Sequence, residues 1–328
     1  MTNYIIRRIL LAIPTMLIIS VLSFVIIQLP PGDYLDQKIA LLEQQYGDSG
    51  SVVQAGALRH RYGLDKPLPQ RYLKWISGVV VGDFGESFRY EKEVKDLIWE
   101  RLSLTLILSL GSLVFVYMLA IPIGIYSATH KYTWKDNAFT FLAFLGMSLP
   151  GFLLALTLIV LVYLAFGVPL FDLFSPFYRT APWSGGKILD MLKHLWLPII
   201  VISINGTAGL MRIMRGNLLD VLGEPFVRTA RAKGLKESLV VVKHAARIAI
   251  NPLISILGMS LPDILSGTTI VSIVLGLPTV GPLLLVSLQD QDMYLAGTLL
   301  LFMSLLLIIG NLLADIALAW VDPRIRYD

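Results

Sequence analysis

The chain has 328 residues, of which 55% are hydrophobic and only 15% are charged, and its formal net charge is +4. Soluble globular proteins carry about 25% charged residues, so the charge deficit and the mean hydropathy of +0.71 indicate a polytopic membrane protein. The absence of cysteine excludes disulfides and thiol chemistry.

Long uncharged runs account for this composition. Residues 9–29, 102–129 and 138–171 contain no charged side chain. About 20 apolar residues cross the hydrocarbon core of a bilayer, so each run predicts a membrane-spanning helix. The sequence predicts an all-α membrane protein with six transmembrane helices, approximately at residues 9–29, 102–129, 138–166, 195–214, 253–276 and 294–320.

Two of these runs allow a second interpretation. The first follows Arg7 and Arg8, as the apolar core of a signal peptide would, but it is longer than such a core and QLPPGD is not a small-x-small cleavage site. We therefore expect a retained first helix. The third run contains SLPGF at residues 148–152, which predicts a kinked or tilted helix.

Lysine and arginine are distributed unevenly between the loops. Loop 172–194 carries three of them and loop 277–293 carries none. The segments on the side of the N-terminus carry Arg7, Arg8, Lys131, Lys135, eight cations between Arg212 and Arg247, Arg324 and Arg326. Short loops rich in lysine and arginine remain in the cytoplasm, so both termini are predicted to be cytoplasmic.

This topology divides the chain into four segments. They are an N-terminal transmembrane helix at 1–29, an extracytoplasmic segment at 30–101, a transmembrane domain at 102–321 with its largest cytoplasmic loop at 212–252, and a cytoplasmic tail at 322–328.

The stretch EPFVRTARAKGL, residues 224–235, lies in that largest loop. Pro225 suits the first position of a helix, with Glu224 beside the positive end of the helix dipole. Gly234 suits the left-handed position just after a helix. The pattern predicts a helix over 225–233 and a second one entered near Glu237. So short a helix needs a partner, and either a docked protein or anionic lipid head groups could supply it.

Four stretches, in this order along the whole chain, carry a resemblance. They are RYGLDKPLPQRYLKW with GDFGES, RTARAKGL with INP sixteen residues after its glycine, LSGTTIVSIVLGLPTVG, and the C-terminal DPRIRY. Together they resemble the dipeptide/oligopeptide/nickel group of binding-protein-dependent ABC importer permeases, and specifically the longer permease of each pair.

The resemblance implies a type I ABC importer permease fold in the cytoplasmic (inner) membrane of a bacterium or archaeon. It implies as partners a homologous second permease, two ATPase subunits that bind ATP and Mg, an extracytoplasmic solute-binding protein and membrane lipid, with no nucleic acid. The short loop helix would be the coupling helix seated in an ATPase subunit. Its implied residues are Glu224, Arg228, Ala230, Arg231, Ala232, Lys233 and Gly234.

Motifs for chemistry are missing from the sequence. There is no GxxxxGK[ST] phosphate loop and no HExxH, and the four histidines are scattered. We therefore expect no catalytic, cofactor or metal site, and no enzyme activity in this chain. Energy must come from a partner or from an ion gradient. A gradient-driven secondary transporter is accordingly the alternative, ahead of an intramembrane enzyme or a structural scaffold.

A few polar residues inside the predicted spans are pathway candidates. Asp263 could meet a cationic group of the substrate, or it could be capped locally by Ser266, because an intramembrane carboxylate needs a cavity or a partner. Asn205 could lie at a helix interface. Ser272 stands where the family often has glutamate. Asp315 is expected to make a structural pairing.

The substrate is not determined by these residues. The family often has a Pro-Gly pair where this chain has Pro278-Thr279, and segment 37–58 is also atypical, so it could be an outer insertion that touches the binding protein. Peptide is the leading substrate, with nickel complexes, oligosaccharides and modified peptides as alternatives.

Overall fold

A computed structural model describes residues 2–30, 34, 64–167, 172–257 and 269–321. Among these residues, extended backbone pairs at one isolated antiparallel bridge, between Glu86 and Glu93. The helices are α1 (Thr2–Gln28), α2 (Leu68–Val81), α3 (Val94–Thr129), α4 (Trp134–Ser148), α5 (Gly151–Phe166), α6 (Pro176–Arg179), α7 (Gly185–Leu222), α8 (Pro225–Ala232), α9 (Glu237–Ala249), α10 (Asn251–Leu257), α11 (Thr269–Val274), α12 (Val280–Gln289) and α13 (Met293–Val321).

The chain divides into two compact units. The core unit comprises Thr105–Pro278 and Ile309–Asp328 with Met1, and the N-terminal unit comprises Thr2–Leu104 and Thr279–Ile308. The N-terminal unit thus joins the segment after the first helix to the start of the last helix. The four consecutive segments predicted from the sequence do not include this association between residues that are far apart in the chain.

In the core unit, α7 is much longer than the span predicted at 195–214. Its 38 residues extend about 57 Å at 1.5 Å per residue, whereas the hydrocarbon core is about 30 Å thick. Ser184 begins the helix by accepting a hydrogen bond from the backbone N–H of Lys187. The predicted span covers only part of the helix, because charged residues end an apolar run without ending a helix, since lysine and arginine are good helix formers.

The third predicted span is broken. α4 and α5 meet at an angle of 107°, with Leu149 in an extended conformation (φ −88°, ψ 126°) and Pro150 after it. Proline lacks the N–H that would continue the helix and disfavours helical backbone in the residue before it. The kink predicted at 148–152 is therefore confirmed, and it separates two helices instead of tilting one.

Among the described residues, four helices are long and apolar enough to cross a membrane, namely α1, α3, α7 and α13. The bent pairs α4/α5 and α9/α10, the latter bent by 44°, raise that number to six if each pair is one span. The predicted span 253–276 is only partly described, through the C-terminal part of α10 and through α11. The count of six spans stays a prediction.

Aromatic side chains form the centre of the N-terminal unit. Trp75 of α2 is 1% exposed, and its ring packs beside Phe24 and Tyr72. Its Nε1–H donates to the hydroxyl of Thr298 at 3.4 Å. A Cβ atom at Gly297 would lie 2.8 Å from the Trp75 ring, so glycine is what lets α13 approach this closely.

A carboxylate completes the same unit. Asp292 is fully buried and accepts hydrogen bonds from the Ser87 hydroxyl at 2.5 Å and the backbone N–H groups of Leu295 (3.2 Å) and Arg89 (3.4 Å). Burial raises the pKa of the Asp292 carboxyl, and these hydrogen bonds oppose the rise. The Arg89 guanidinium pairs with Asp290 beside it. The segment after α2 is thereby fastened to the start of α13.

Candidate functional site

The short helix predicted in the largest loop is present as α8. It runs from Pro225 to Ala232, one residue shorter than the predicted 225–233. Pro225 occupies the first turn, and Glu224 before it is extended (φ −70°, ψ 149°). The Thr229 hydroxyl donates to the Pro225 carbonyl at 2.9 Å. The predicted start of this helix at Pro225 is thus confirmed.

The end of α8 is closed by a left-handed glycine. Gly234 has φ +76°; its N–H bonds to the Arg231 carbonyl at 2.9 Å, and the N–H of Leu235 bonds to the Ala230 carbonyl at 3.4 Å. These two bonds form a Schellman motif, which confirms the predicted left-handed position of Gly234 after the helix. A Cβ at Gly234 would meet nothing within 4 Å, so only the backbone conformation requires glycine here.

One face of α8 is buried in the core unit. Val227 is fully buried and Ala230 nearly so, and the three-residue spacing places both on one face of the helix. They join an apolar cluster with Leu218 of α7 and with Val240 and Val241 of α9. Residues 240–245 of α9 are wound as a π-helix, a local form that often occurs at functional sites.

The other face of α8 and the turn after it are exposed. Ala232 lies on this face, and Arg228 and Lys233 are exposed there without an ion pair to any described residue. Three large apolar side chains accompany them, and the sequence analysis missed these. They are Phe226, Leu235 and Leu239. For Phe226 the signal in the sequence is that it lies on α8 but off the stripe that Val227 and Ala230 define.

Arg231 is engaged inside the loop. Its Nη2 lies 2.6 Å from Oε1 of Glu237, and its Nε lies 3.0 Å from Oε2. This hydrogen bonding raises the pKa of the Arg231 guanidinium. The pair links α8 to the first turn of α9, so in this conformation Arg231 braces the loop while Arg228 and Lys233 point outward.

A buried ion pair supports the same end of α7. The Arg215 guanidinium donates to both carboxylate oxygens of Asp136, at 2.9 and 2.8 Å, and Asp136 is only 1% exposed. The backbone N–H of Tyr132 donates to the same carboxylate at 2.9 Å. Sequence reasoning missed this pair; its only signal was a single acid among the cations of loop 130–137.

The predicted pathway residues are scattered. Asn205 lies exposed on α7, whereas Ser272 of α11 is fully buried and its hydroxyl has no hydrogen-bond partner among the described residues. Asp315 is partly buried on α13. Asp263 and Ser266 lie outside the described residues. Of these side chains, Asn205 is exposed enough for a second protein to contact it. The assignment of these residues to a transport pathway stays a prediction.

The chemistry open to α8 is that of a contact surface. Its exposed face offers cations and apolar groups, which suit an acidic and apolar groove. Within the described part of the chain, no three histidine, aspartate or glutamate side chains come close enough together to hold a metal ion.

Comparison with known proteins identifies the family. The family described as "Binding-protein-dependent transport system inner membrane component" matches residues 120–327, and the N-terminal domain "Binding-prot-dependent transport system membrane comp, N-term" matches residues 1–109.

Individual relatives match over their whole length. The oligopeptide transport system permease protein AppB of Bacillus subtilis (strain 168) is 36% identical, with 100% of each chain covered. The glutathione transport system permease protein GsiC of Escherichia coli (strain K12) is 33% identical, and the oligopeptide transport system permease protein OppB of Haemophilus influenzae is 30% identical, both also with 100% of each chain covered. The chain therefore belongs to the family of binding-protein-dependent transport system inner membrane components.

Proposed function

We propose that this chain is the longer of two permeases in an ATP-driven importer of peptides, which receives its substrate from an extracytoplasmic binding protein. The family supports a permease of the ABC importer type over a gradient-driven transporter. The relatives named above are permeases for oligopeptides and glutathione, which supports a peptide over a nickel complex or an oligosaccharide.

The observation that carries the proposal is the geometry of α8. An eight-residue helix is too short to persist in water by itself. Its inner face is held by Val227 and Ala230, while Arg228, Lys233 and Phe226 face outward. A groove in a separate ATPase subunit, with carboxylates around an apolar floor, would complement this outer face.

The proposed mechanism is transmission of movement from α8 to the spans. α7 ends at Leu222 and α8 begins at Pro225, so only two residues join the loop helix to a span. The Schellman closure and the Arg231–Glu237 pair stiffen the loop. ATP and Mg bound by the ATPase subunits would supply the driving force, and the spans would then alternate between outward and inward access as rigid bodies.

The proposed passage lies along the interface with a homologous second permease. The candidate contacts in it are Asn205, Asp263 and Ser266, while Ser272 is fully buried within the chain in this conformation. The distribution of lysine and arginine supports cytoplasmic termini, in the cytoplasmic membrane of a bacterium or archaeon. α8 would then lie on the cytoplasmic side, where the ATPase subunits are.

The test is a matched pair of substitutions at Gly234. In the complex reconstituted into vesicles with its ATPase subunits and binding protein, Gly234→Val places a β-branched residue at φ +76°, at a cost of about 1–2 kcal/mol. We expect peptide-stimulated ATP hydrolysis and uptake to be lost. Gly234→Asn tolerates the left-handed conformation and should retain most of both activities.

Equal activity of the two variants would contradict the role of α8. Uptake that follows an imposed proton or sodium gradient, with the ATPase subunits absent, would contradict the importer itself. Uptake of labelled oligopeptides, competed by unlabelled oligopeptides and not by oligosaccharide or nickel, would support the proposed substrate.

A further inference from the structure

The turn between α3 and α4 exposes an unusual group of side chains. Tyr132 is 80% exposed and Trp134 is 75% exposed, and Lys131 and Lys135 beside them are exposed as well. Large aromatic rings usually bury most of their surface. Here two of them face outward within three residues, next to two cations, which makes the turn a candidate contact surface.

The backbone of this turn is strained in order to hold that arrangement. Tyr132 has φ +64°, a left-handed conformation that costs a non-glycine residue about 1–2 kcal/mol. Its N–H donates to Asp136, whose carboxylate Arg215 clamps with two hydrogen bonds, and Thr133 caps α4. The tyrosine ring gains no burial from the strained position, so the strain serves the outward display.

The positive charges of the turn are not neutralised by any carboxylate in the described part of the chain. Lys131 and Lys135 form no ion pair with any described residue, and Asp136 is already occupied by Arg215. The lysine ammonium groups lie over aromatic rings, Lys131 5.7 Å from the Tyr132 centroid and Lys135 5.9 Å from that of Trp134. These cation–π contacts hold the ammonium groups beside the exposed rings.

The turn lies between two candidate membrane spans. It directly follows α3, a helix long and apolar enough to span, and directly precedes the bent pair α4/α5. It also lies at the same end of α7 as α8, because Asp136 contacts Arg215 seven residues before α7 ends at Leu222. Tryptophan and tyrosine concentrate at the depth of lipid head groups.

We propose that the turn at residues 130–135 is a binding site for the head groups of anionic phospholipids. The lysines would contact the lipid phosphates, while Tyr132 and Trp134 would lie among the glycerol and upper acyl groups. Juxtamembrane lysines gain about 1 kcal/mol each near an anionic surface, which corresponds to roughly a fivefold preference per lysine. This proposal depends on the proposed insertion of the chain into a membrane and does not depend on the proposed ATPase partner.

The experiment uses the natural absence of cysteine. Asn137, exposed near the turn, is replaced by Cys, labelled with a fluorophore, and the full chain is placed in vesicles. Quenching by brominated phosphatidylglycerol is compared with quenching by brominated phosphatidylcholine at equal content. We expect a several-fold preference for phosphatidylglycerol that Lys131→Gln with Lys135→Gln abolishes and that 1 M salt, at roughly 3 Å Debye length, removes.

The matched control is Lys92→Gln with Lys95→Gln, an exposed pair in the N-terminal unit, which should leave the preference unchanged. Equal quenching by the two lipids in the unaltered turn, or a preference that survives Lys131→Gln with Lys135→Gln, would overturn the proposal. If that double variant instead keeps the quenching ratio and loses binding of the ATPase subunits, the turn contacts protein and the lipid site is excluded. Gly234→Val should not change the ratio, so failure here is distinct from failure of the proposed coupling.

Discussion

The N-terminal unit and the loop that carries α8 differ in how many of their large side chains are buried, and how many of their polar groups are paired, within this chain. Around α2, Trp75 and Phe88 are almost wholly buried, and the carboxylate of Asp292 has its hydrogen bonds from the same chain. Within α8, Val227 and Ala230 are the buried residues, while cations and large apolar side chains on its other face and in the turn after it lie exposed.

The difference shows where each region obtains its stability. A region with interior packing and satisfied polar groups is stable by itself, whereas a short amphipathic helix owes its stability to the face that packs and leaves the other face open to a partner. Substitutions in the N-terminal unit should therefore change the free energy of unfolding. Substitutions on the outer face of α8 should change coupling to a partner and leave stability intact.

The largest effect is expected at Trp75. Trp75→Ala removes the ring from the centre of the N-terminal unit and should lower the free energy of unfolding by about 3–5 kcal/mol. Trp75→Phe keeps an aromatic body but loses the hydrogen bond to Thr298, and should cost about 1 kcal/mol. Thermal unfolding in detergent measures both. Limited proteolysis between residues 64 and 93 locates the damage, and protection there in Trp75→Ala would contradict the assignment.

A somewhat smaller loss is expected at the buried ion pair. Asp136→Asn leaves Arg215 without its carboxylate, which for a buried pair costs about 3 kcal/mol, the lower end of the usual range because Arg215 is 24% exposed and can reach water. The double variant Asp136→Leu with Arg215→Met should recover much of the stability. Unfolding in detergent checks this; a double variant no more stable than Asp136→Asn would show that the charge pairing itself is not the cause.

Much of the helical pattern could be predicted from the sequence because it depends on local rules. Pro225 and Gly234 fix the two ends of α8 through the backbone conformations that proline and glycine favour. The break at Pro150 follows from the missing N–H. These features need only a few neighbouring residues, so the printed sequence contains the information.

The features that were missed depend on contacts distant in sequence. Asp136 and Arg215 are 79 residues apart and Trp75 and Thr298 are 223 apart, and no local pattern indicates which residue meets which. The true length of α7 was missed for another reason: hydropathy marks where the apolar run ends, whereas the helix itself continues through charged residues at both ends of that run.

The two faces of α8 provide the sharpest test of the contrast between residues that stabilise the chain and residues that would contact a partner. Val227→Ala, on the buried face, should lower the free energy of unfolding by about 1–2 kcal/mol through lost apolar burial. Phe226→Ala, on the exposed face next to it, should change stability by no more than about 0.5 kcal/mol. It should nevertheless weaken peptide-stimulated ATP hydrolysis in the assembled complex. A destabilising Phe226→Ala variant would mean that the outer face packs within the chain.

The smallest change in stability is expected at Arg231 and Glu237, yet this pair decides what Arg231 does. Both side chains are largely exposed, so Arg231→Gln and Glu237→Gln should each cost at most about 0.5 kcal/mol of folding free energy, and less at high salt.

If Arg231 only braces the loop, the two variants should reduce ATPase coupling equally, since each breaks the same pair. If Arg231 leaves Glu237 to bind the ATPase subunit, Arg231→Gln should impair coupling while Glu237→Gln, which releases the arginine, should preserve or improve it. Coupling ratios of the two variants, measured side by side in vesicles, separate these roles, and the geometry of the isolated chain favours the brace.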